Sequence, residues 1–279
     1  MYADDVGLVA QAESFEKLEE ILNEDLSIVQ TYCKSWHLTI NPNKTTSIAF
    51  HLKNRESDRK LNLMAQGVNI QGKDAPKYLG IKLDRTLTFK QHLEGVKNKL
   101  KTRNNIISKL AGTNWESRAN VLRTSALALV YSEAEYCAPV WGRSAHTKKV
   151  DVELNNTMRI ISGFVWSTKV QWLPVLSNIA PPEIHRYAAT KKILEQIKNS
   201  THLPVHNDIY DVPFKRLKSR YPIWLIESTT NVPEDLWKKI WRYENVVNGR
   251  LVNDPTQRVP GFELPRAMWT TLNRIRTEQ

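Results

Sequence analysis

The chain has 279 residues, room for about two domains at roughly 150 residues each. Its 40 Lys and Arg residues outnumber its 29 Asp and Glu residues, so the formal net charge is +11, which favours nucleic acid as the partner, with an anionic membrane surface as the weaker alternative. The longest apolar run, residues 126–131, is far too short to cross a bilayer, so we expect no membrane partner.

The first predicted element is half of a β-hairpin. Asp4 and Asp5 are adjacent carboxylates, and the apolar run 6–10 follows them as a returning strand. A two-metal phosphoryl-transfer site carries acidic side chains on such a turn, so that Mg²⁺ bridges a carboxylate and the phosphates of a nucleotide. The entering strand and a second acidic strand would lie upstream, so we expect this chain to be a piece of a larger protein.

Helical periodicity and turn residues predict the elements that follow. Apolar residues at intervals of three and four predict a helix over 14–36, with Ser14 as N-cap and Glu16 in its first turn. Short β-favouring runs then predict strands at 37–40, 46–50, 61–64, 68–70 and 78–83, with turns at 41–44 and 66–67.

Helices dominate the sequence beyond Thr88. The apolar spacing and the helix-starting prolines predict helices over 89–110, 117–136 and 150–161, one from Pro182 through Ile197, and one from Pro233 to Val247 ahead of Gly249. Trp237 and Trp241 lie four residues apart on the last of these, which favours burial over base stacking. Segments 200–222 and 250–265 are expected to be connectors. The fold class is therefore α+β.

The two cysteines, Cys33 and Cys137, lie far apart and lack the partner spacing of a zinc site, so we predict reduced core thiols. Asp4 and Asp5 stand where a signal peptide would be apolar. We expect an intracellular protein, and the sequence leaves nucleus and cytoplasm open.

Three motifs in order resemble the reverse transcriptase of non-LTR retrotransposons, most closely jockey-type elements: 2–5 (YADD), 38–45 (LTINPNKT) and 77–81 (KYLGI). Segments 138–142, 172–176, 180–184, 264–269 and 272–274 resemble the region after that family's polymerase core. The resemblance implies a remnant of the polymerase palm over 1–86, a helical thumb or connection over 87–175 and a helical C-terminal extension over 176–279. A complete member of the family carries further polymerase segments upstream.

The resemblance also implies a chemistry, nucleotidyl transfer from a dNTP to a DNA primer on an RNA template. Asp4 and Asp5 would be the catalytic pair that binds Mg²⁺, and Lys44 would stabilise the departing pyrophosphate. Tyr78, Leu79 and Gly80 match the primer-grip hairpin, which holds the primer end against the metals. Cations on the first thumb helix would contact phosphates without reading sequence, namely Lys97, Lys99, Lys101 and Arg103.

Each assignment has an alternative that the sequence leaves open. The carboxylates fit a solvated acidic turn, Lys44 an ordinary exposed lysine, and the four cations a solvated helix face. For the whole chain the alternatives are a non-catalytic nucleic-acid-binding module and a degenerate remnant of such an element. We expect this chain alone to lack polymerase activity and to bind Mg²⁺ weakly or not at all, because one acidic turn supplies too few oxygens. Its oligomeric state is left open.

Overall fold

Residues 5–210 and 232–278 are described by a computed structural model, in which the chain forms two units, Met1–Thr88 and Phe89–Gln279. The α-helices are α1 (Phe15–Ser35), α2 (Lys90–Ala111), α3 (Ala119–Ala126), α4 (Ser132–Ala134), α5 (Ala138–Trp141), α6 (Lys148–Ser162), α7 (Trp172–Ser177), α8 (Pro182–Lys198), α9 (Val205–Tyr210), α10 (Pro233–Tyr243) and α11 (Arg266–Thr277). The strands found among the described residues lie in the first unit and are β1 (Thr46–Ser47), β2 (Met64–Ala65), β3 (Val68–Asn69), β4 (Gln71–Gly72), β5 (Lys77–Tyr78) and β6 (Ile81–Lys82). The mixed α and β composition is confirmed, whereas the three-part division at 86/87 and 175/176 stays a prediction.

The core of the first unit forms where α1 packs against the segment that contains β2. Ser14 caps the helix by accepting a hydrogen bond from the Lys17 backbone N–H at 3.2 Å, and Glu16 lies in the first turn, as predicted. The buried residues of this core come from the helix and from the strand region: Phe15, Leu22, Leu26, Leu61, Leu63, Ala65 and Ile70. Burial of one face of α1 therefore fixes the helix against the strands.

A polar stripe on α1 also bonds to the backbone beside β2. The N–H of Asn62 donates to Glu19 at 3.0 Å, that of Met64 to Asn23 at 2.9 Å, and that of Gln66 to Gln30 at 3.2 Å. These side-chain oxygens satisfy backbone donors that a neighbouring strand would otherwise satisfy. Strands β2 and β3 form the hairpin around the predicted turn at 66–67, while β1 pairs in parallel with β4.

The strand predicted at 37–40 is wrong, because its first residues end α1. The His37 N–H donates to Lys34 O at 3.1 Å and the Leu38 N–H donates to Cys33 O at 2.8 Å. His37 has a φ of +55°, so the two bonds form the Schellman arrangement that closes a helix with a left-handed residue. Trp36, predicted on the apolar face, is 65% exposed at this end.

Other strand predictions need correction as well. Residues 6–10 are not a strand, and Val6 and Val9 are exposed. A strand forms only where a neighbouring strand supplies backbone hydrogen bonds. The run 78–83 is interrupted by a turn at Leu79 and Gly80, so it contributes to two strands, β5 and β6. Only two residues of the run 46–50 pair, and β2 begins at the last residue of 61–64.

The second unit is built on the packing of α2 against α6. The predicted apolar face of α2 is buried, and so is that of α6, through Leu93, Val96, Leu100, Ile107, Val150, Leu154, Met158 and Ile161. Within this apolar contact the Asn104 amide donates to Glu153 O at 3.0 Å and accepts from the Thr157 hydroxyl at 2.6 Å. The predicted helix over 117–136 is present as α3, a π-helical turn at Leu127–Tyr131, and α4.

The carboxyl-terminal helices show one prediction confirmed, one wrong and one omission. Trp237 and Trp241 are buried, and the Trp241 ring meets Trp172 edge-on at 5.1 Å. Helix α10 ends at Tyr243 rather than Val247, since Glu244 is extended with ψ 125°. Helix α11 and the short helix α9 lie in or beside segments predicted as connectors. The part of the 200–222 connector beyond residue 210 lies outside the described residues.

Helix α11 caps the end of α6 with three side chains. Arg266 donates to the carbonyls of Ile160 and Ile161, and the Trp269 indole donates to Ile161 at 3.2 Å. The Asn273 amide donates to Ser162 O at 3.0 Å. Burial lowers the pKa of Arg266 to about 10, which leaves it charged at neutral pH. Carbonyls at the end of a helix have no partner within the helix, so α11 satisfies groups that would otherwise be buried unpaired.

Replacing Asn273 with Ala removes the amide that donates to the Ser162 carbonyl. Because Ser162 is fully buried, its carbonyl would stay without that donor, and we expect the free energy of unfolding of the second unit to fall by about 1–3 kcal/mol. Urea titration followed by tryptophan fluorescence measures the change. Every tryptophan except Trp36 lies after residue 89, so the signal comes mainly from the second unit.

Met268→Ala is the matched control, because Met268 is exposed on the same helix. We expect this variant to unfold within about 0.5 kcal/mol of the parent chain. Equal losses in the two variants would contradict the capping role of Asn273.

Candidate nucleic-acid interface

The predicted acidic corner is described from Asp5 onward, and Asp4 lies outside the described residues. Asp5 is exposed and forms an isolated backbone bridge. Two residues further on, Gly7 lies against the ring of Tyr78: a Cβ built on Gly7 would be 3.4 Å from the Tyr78 hydroxyl oxygen. The structure therefore brings the segment after the acidic pair into contact with the predicted primer-grip hairpin.

That hairpin is formed by β5 and β6, with Tyr78 opposite Ile81. Its two turn residues, Leu79 and Gly80, have φ of +44° and +86°, as a tight turn with two left-handed residues requires. Gly80 adopts this left-handed conformation without steric cost, whereas Leu79 adopts it at a steric cost because it has a Cβ atom. Ile81 is buried, while Tyr78 and Leu79 are 39% and 36% exposed, so the hairpin has apolar groups at its surface.

Lys44 lies at the end of the turn that the sequence predicts at 41–44. The Asn41 side-chain oxygen accepts from the N–H of Asn43 at 3.1 Å and from that of Lys44 at 3.3 Å. The Thr45 hydroxyl donates to Asn41 O at 2.9 Å. These local bonds hold the turn and leave the Lys44 side chain exposed.

The donor set of the described residues does not fit a magnesium ion by itself. Mg²⁺ takes six ligands in near-ideal octahedral geometry, mostly oxygens. In residues 5–210 and 232–278, no group of three His, Cys, Asp or Glu side chains converges on one point. Asp5 alone offers one carboxylate, so the metal assignment of Asp4 and Asp5 stays a prediction.

The four predicted phosphate-binding cations of α2 fall on two different faces of that helix. Residues four apart lie close together on a helix, whereas residues two apart point in opposite directions. Lys97 and Lys101 therefore form one stripe, and Lys99 and Arg103 form another. The sequence prediction treated them as a single basic surface.

The stripe of Lys99 and Arg103 is engaged by one carboxylate of the same unit. Glu133, on α4, accepts from Lys99 at 2.7 Å and from Arg103 at 2.7 Å, and it is 18% exposed on its side chain. Arg103 also donates to Leu129 O at the π-helical turn. These cations tie α2 to α4, which reduces their availability for phosphate.

The other stripe is only partly engaged. Glu94 pairs with Lys149 and with Lys97, the second at 3.2 Å, and these two bonds hold the pKa of Glu94 below its usual value. Lys101 is exposed and forms no ion pair with the residues that the structure describes. Lys101 is thus the predicted cation best placed to meet an external phosphate.

Sequence reasoning missed the acidic partners of these cations. Glu133 follows Lys99 by 34 positions, and Lys149 follows Glu94 by 55. Helical spacing identifies neighbours within one helix, but it does not reveal which carboxylate of another helix lies opposite. The one available signal was the two-residue offset between Lys97 and Lys99, which separates the stripes.

Curated proteins similar to this chain include RNA-directed DNA polymerases of mobile elements. Over 227 residues the chain is 25% identical to the "Probable RNA-directed DNA polymerase from transposon BS" of Drosophila melanogaster, covering 78% of this chain and 24% of that protein. Over 178 residues it is 29% identical to the "RNA-directed DNA polymerase from mobile element jockey" of the same species, covering 59% of this chain and 18% of that protein. The chain thus spans a quarter or less of the length of these relatives.

These matches confirm the resemblance drawn from the motifs, including the likeness to jockey. A further relative is the "Probable RNA-directed DNA polymerase from transposon X-element" of Drosophila melanogaster, 25% identical over 174 residues, with 59% of this chain and 18% of that protein covered. No profile of a known protein family and no solved structure matches the chain. Among the described residues, none of the helices has the length and apolar character needed to cross a bilayer.

Replacing Glu133 with Ala removes the carboxylate that Lys99 and Arg103 share. Two like charges one turn apart then repel, so we expect the free energy of unfolding to fall by about 1 kcal/mol at low ionic strength. Salt screens that repulsion, so the difference should shrink in about 1 M NaCl. Urea titrations at the two salt concentrations measure both effects.

Glu195→Ala is the control for this substitution. Glu195 is 60% exposed on its side chain and pairs with Lys191 at 4.0 Å, the geometry of a weak surface ion pair. We expect a change of at most about 0.5 kcal/mol. A salt-independent loss in Glu133→Ala would mean that the carboxylate acts through packing, contrary to this interpretation.

Proposed function

We propose that this chain is the part of a mobile-element RNA-directed DNA polymerase that holds the primer end and follows the product duplex. In the whole enzyme the first unit would belong to the palm, and the helical unit led by α2 would act as the thumb. The reaction is nucleotidyl transfer from a dNTP to a DNA primer on an RNA template, with release of pyrophosphate. Two Mg²⁺ ions, when bound, would activate the primer hydroxyl and stabilise the charge on the leaving group.

The contact between Gly7 and Tyr78 is the observation that carries this proposal. Two residues of extended chain span at most about 7 Å, so the backbone of Asp5 lies within that distance of Gly7. The exposed Tyr78 ring and Asp5 are therefore close neighbours. A polymerase needs this proximity, because the primer hydroxyl must lie both on the hairpin and beside the metal-binding carboxylates.

The remaining predicted residues fit supporting roles in this scheme. Lys44 is exposed at the end of an ordered turn, where its ammonium group would stabilise negative charge on the departing pyrophosphate. Lys101, aided by Lys97, would contact phosphates of the primer–template duplex. Lys99 and Arg103 would hold α2 in place through Glu133 rather than bind nucleic acid.

A chimera tests the catalytic assignments. In it, this chain replaces the aligned segment of the jockey polymerase, and incorporation of labelled dNTP on a homopolymer RNA template is measured. We expect Asp4→Asn to lower the rate on the order of a thousandfold, because a metal ligand that stabilises the transition state is lost. We expect Tyr78→Ala to lower it about a hundredfold, because the primer end is displaced.

Tyr32→Ala is the matched control, since Tyr32 is an exposed tyrosine of the same unit. It should leave the rate unchanged. This chain alone should incorporate nothing, because its described residues supply no complete set of metal ligands. Template-dependent synthesis by the pure chain, or full activity of Asp4→Asn in the chimera, would overturn the proposal.

A pair of charge-neutralising variants tests the thumb assignment. Lys101→Gln should weaken binding of an RNA–DNA hybrid severalfold and reduce the slope of log affinity against log salt by about one, since one phosphate contact is lost. Lys99→Gln, on the same helix and with the same change of charge, should have a smaller effect because Lys99 is paired with Glu133. Fluorescence anisotropy over a range of salt concentrations measures both quantities. Equal effects would contradict the separation into two stripes.

A further inference from the structure

A shallow cleft, open to solvent, lies in the first unit, and none of the predicted site residues lines it. The parallel pair of β1 and β4 forms part of its wall, with Ser47 opposite Gly72. Gly72 has no side chain, so the aliphatic part of Lys60 lies across β4, where a Cβ would approach it to 2.9 Å. Neither the motifs nor the relatives assign a role to this cleft.

Two polar atoms of the lining residues are buried without a hydrogen-bond partner in the described structure. They are the Ser47 hydroxyl oxygen and His51 Nδ1. Ser47 is only 8% exposed, and the His51 ring is held edge-on against Phe15 at 5.1 Å. Native proteins pair nearly all such atoms, so an unpartnered hydroxyl beside an open cleft indicates a group that the hydroxyl is placed to bind.

Four basic side chains and one carboxylate line the cleft. Arg59, Lys60, Lys73 and Arg85 line it, against the single carboxylate of Asp74, which pairs with Lys60. Arg59 pairs with Glu16 at 2.6 Å and with Glu56 at 3.8 Å. Arg85 donates to neutral oxygens, among them His51 O at 3.1 Å, and Lys73 forms no ion pair with the described residues. Lys73 and Arg85 are thus the lining cations without a carboxylate partner among the described residues.

His51 contributes an uncharged ring to the lining of the cleft. Burial lowers the pKa of its imidazole, and the nearby Arg85 guanidinium lowers it further, so the ring is neutral at neutral pH. The Ser47 hydroxyl can donate one hydrogen bond. A neutral donor beside basic side chains suits a ligand with negatively charged oxygens.

We propose that this cleft binds a phosphate group of a nucleic-acid backbone, with Ser47 as hydrogen-bond donor and Lys73 as the main free cation. The open shape favours a phosphate that remains within a chain, since a free anion here would stay largely in water. The choice of nucleic acid as the source of the phosphate rests on the proposed function. The cleft then anchors nucleic acid at a second place in the first unit, distinct from the β5–β6 hairpin.

Binding of a fluorescein-labelled RNA–DNA hybrid to the full chain tests the proposal. Lys73→Gln should weaken binding about fivefold and reduce the salt slope by about one. Ser47→Ala should weaken binding about tenfold with the slope unchanged, because the lost donor is uncharged. Lys34→Gln is the control: Lys34 is an exposed lysine at the end of α1, and its loss changes the net charge equally. It should change the affinity less than about twofold.

Thermal melts check that the variants fold. Ser47→Ala should melt no lower than the parent, since its hydroxyl has no hydrogen bond to lose. The proposal is overturned if Ser47→Ala and Lys73→Gln both bind the hybrid like Lys34→Gln. A second arm titrates inorganic phosphate against the amide NMR signals of residues 47 and 73. Saturation at millimolar phosphate, with hybrid affinity unaffected by the variants, would assign a free anion and overturn the backbone assignment.

These outcomes are separable from those of the polymerase tests, because they require binding and no synthesis. A chimera that fails to extend a primer, while the variants shift hybrid affinity as expected, would reject the catalytic proposal and support the cleft. Normal extension with unshifted affinities would do the reverse.

Discussion

A buried hydrogen bond between Asn104 and Thr157 sets how α2 and α6, the helix pair at the centre of the second unit, pack. Both side chains lie inside an otherwise apolar contact between α2 and α6, where an unpaired amide costs about 1–3 kcal/mol. Sliding one helix by a turn, about 5.4 Å, would separate the pair and bury the amide against hydrocarbon. Apolar residues tolerate several registers, whereas this pair tolerates one, so the polar contact selects the register that the apolar faces allow.

The rotation of α2 that follows from this register decides what each of its cations does. With Leu93, Leu100 and Asn104 turned toward α6, Lys99 and Arg103 lie beside Glu133 on α4. Lys101 is left exposed on a different face. The count of 40 Lys and Arg residues therefore overstates what the chain offers a polyanion, since some of these cations form internal ion pairs. Affinity for phosphate depends on the cations that lack a carboxylate.

The sequence predicts the helices well and the strands poorly, because the interactions that form a helix are close in sequence and those that form a strand are not. A helix is determined by neighbours three and four residues away, so the buried faces of α1, α2 and α6 follow from spacing alone. A strand needs a partner, and residues 6–10 have the composition of a strand without its pairing. At 37–40 the end of helix α1 is hard to recognise in the sequence. The left-handed residue after a helix is usually glycine, but here it is His37. Helix α11 was missed because its docking surface is the distant end of α6.

In the candidate site, too, the local features follow from the sequence and the long-range contacts do not. The motifs identify Tyr78, Leu79 and Gly80 as a hairpin, and the turn forms because the left-handed positions fall on 79 and 80. Gly7 and Tyr78 are in contact although they lie some seventy residues apart in the sequence. Residue spacing does not predict this contact, and the motifs predict it only through their resemblance to the polymerase family. The cleft beside Ser47 has no local signature at all, since its cations come from four positions between 59 and 85 and its unpartnered hydroxyl looks ordinary in sequence. Polar and basic side chains outside the family motifs can be recognised as candidate binding groups only in the folded structure, because packing shows which of them lack a partner. In a basic chain, the side chains without a partner are the ones that can bind a phosphate.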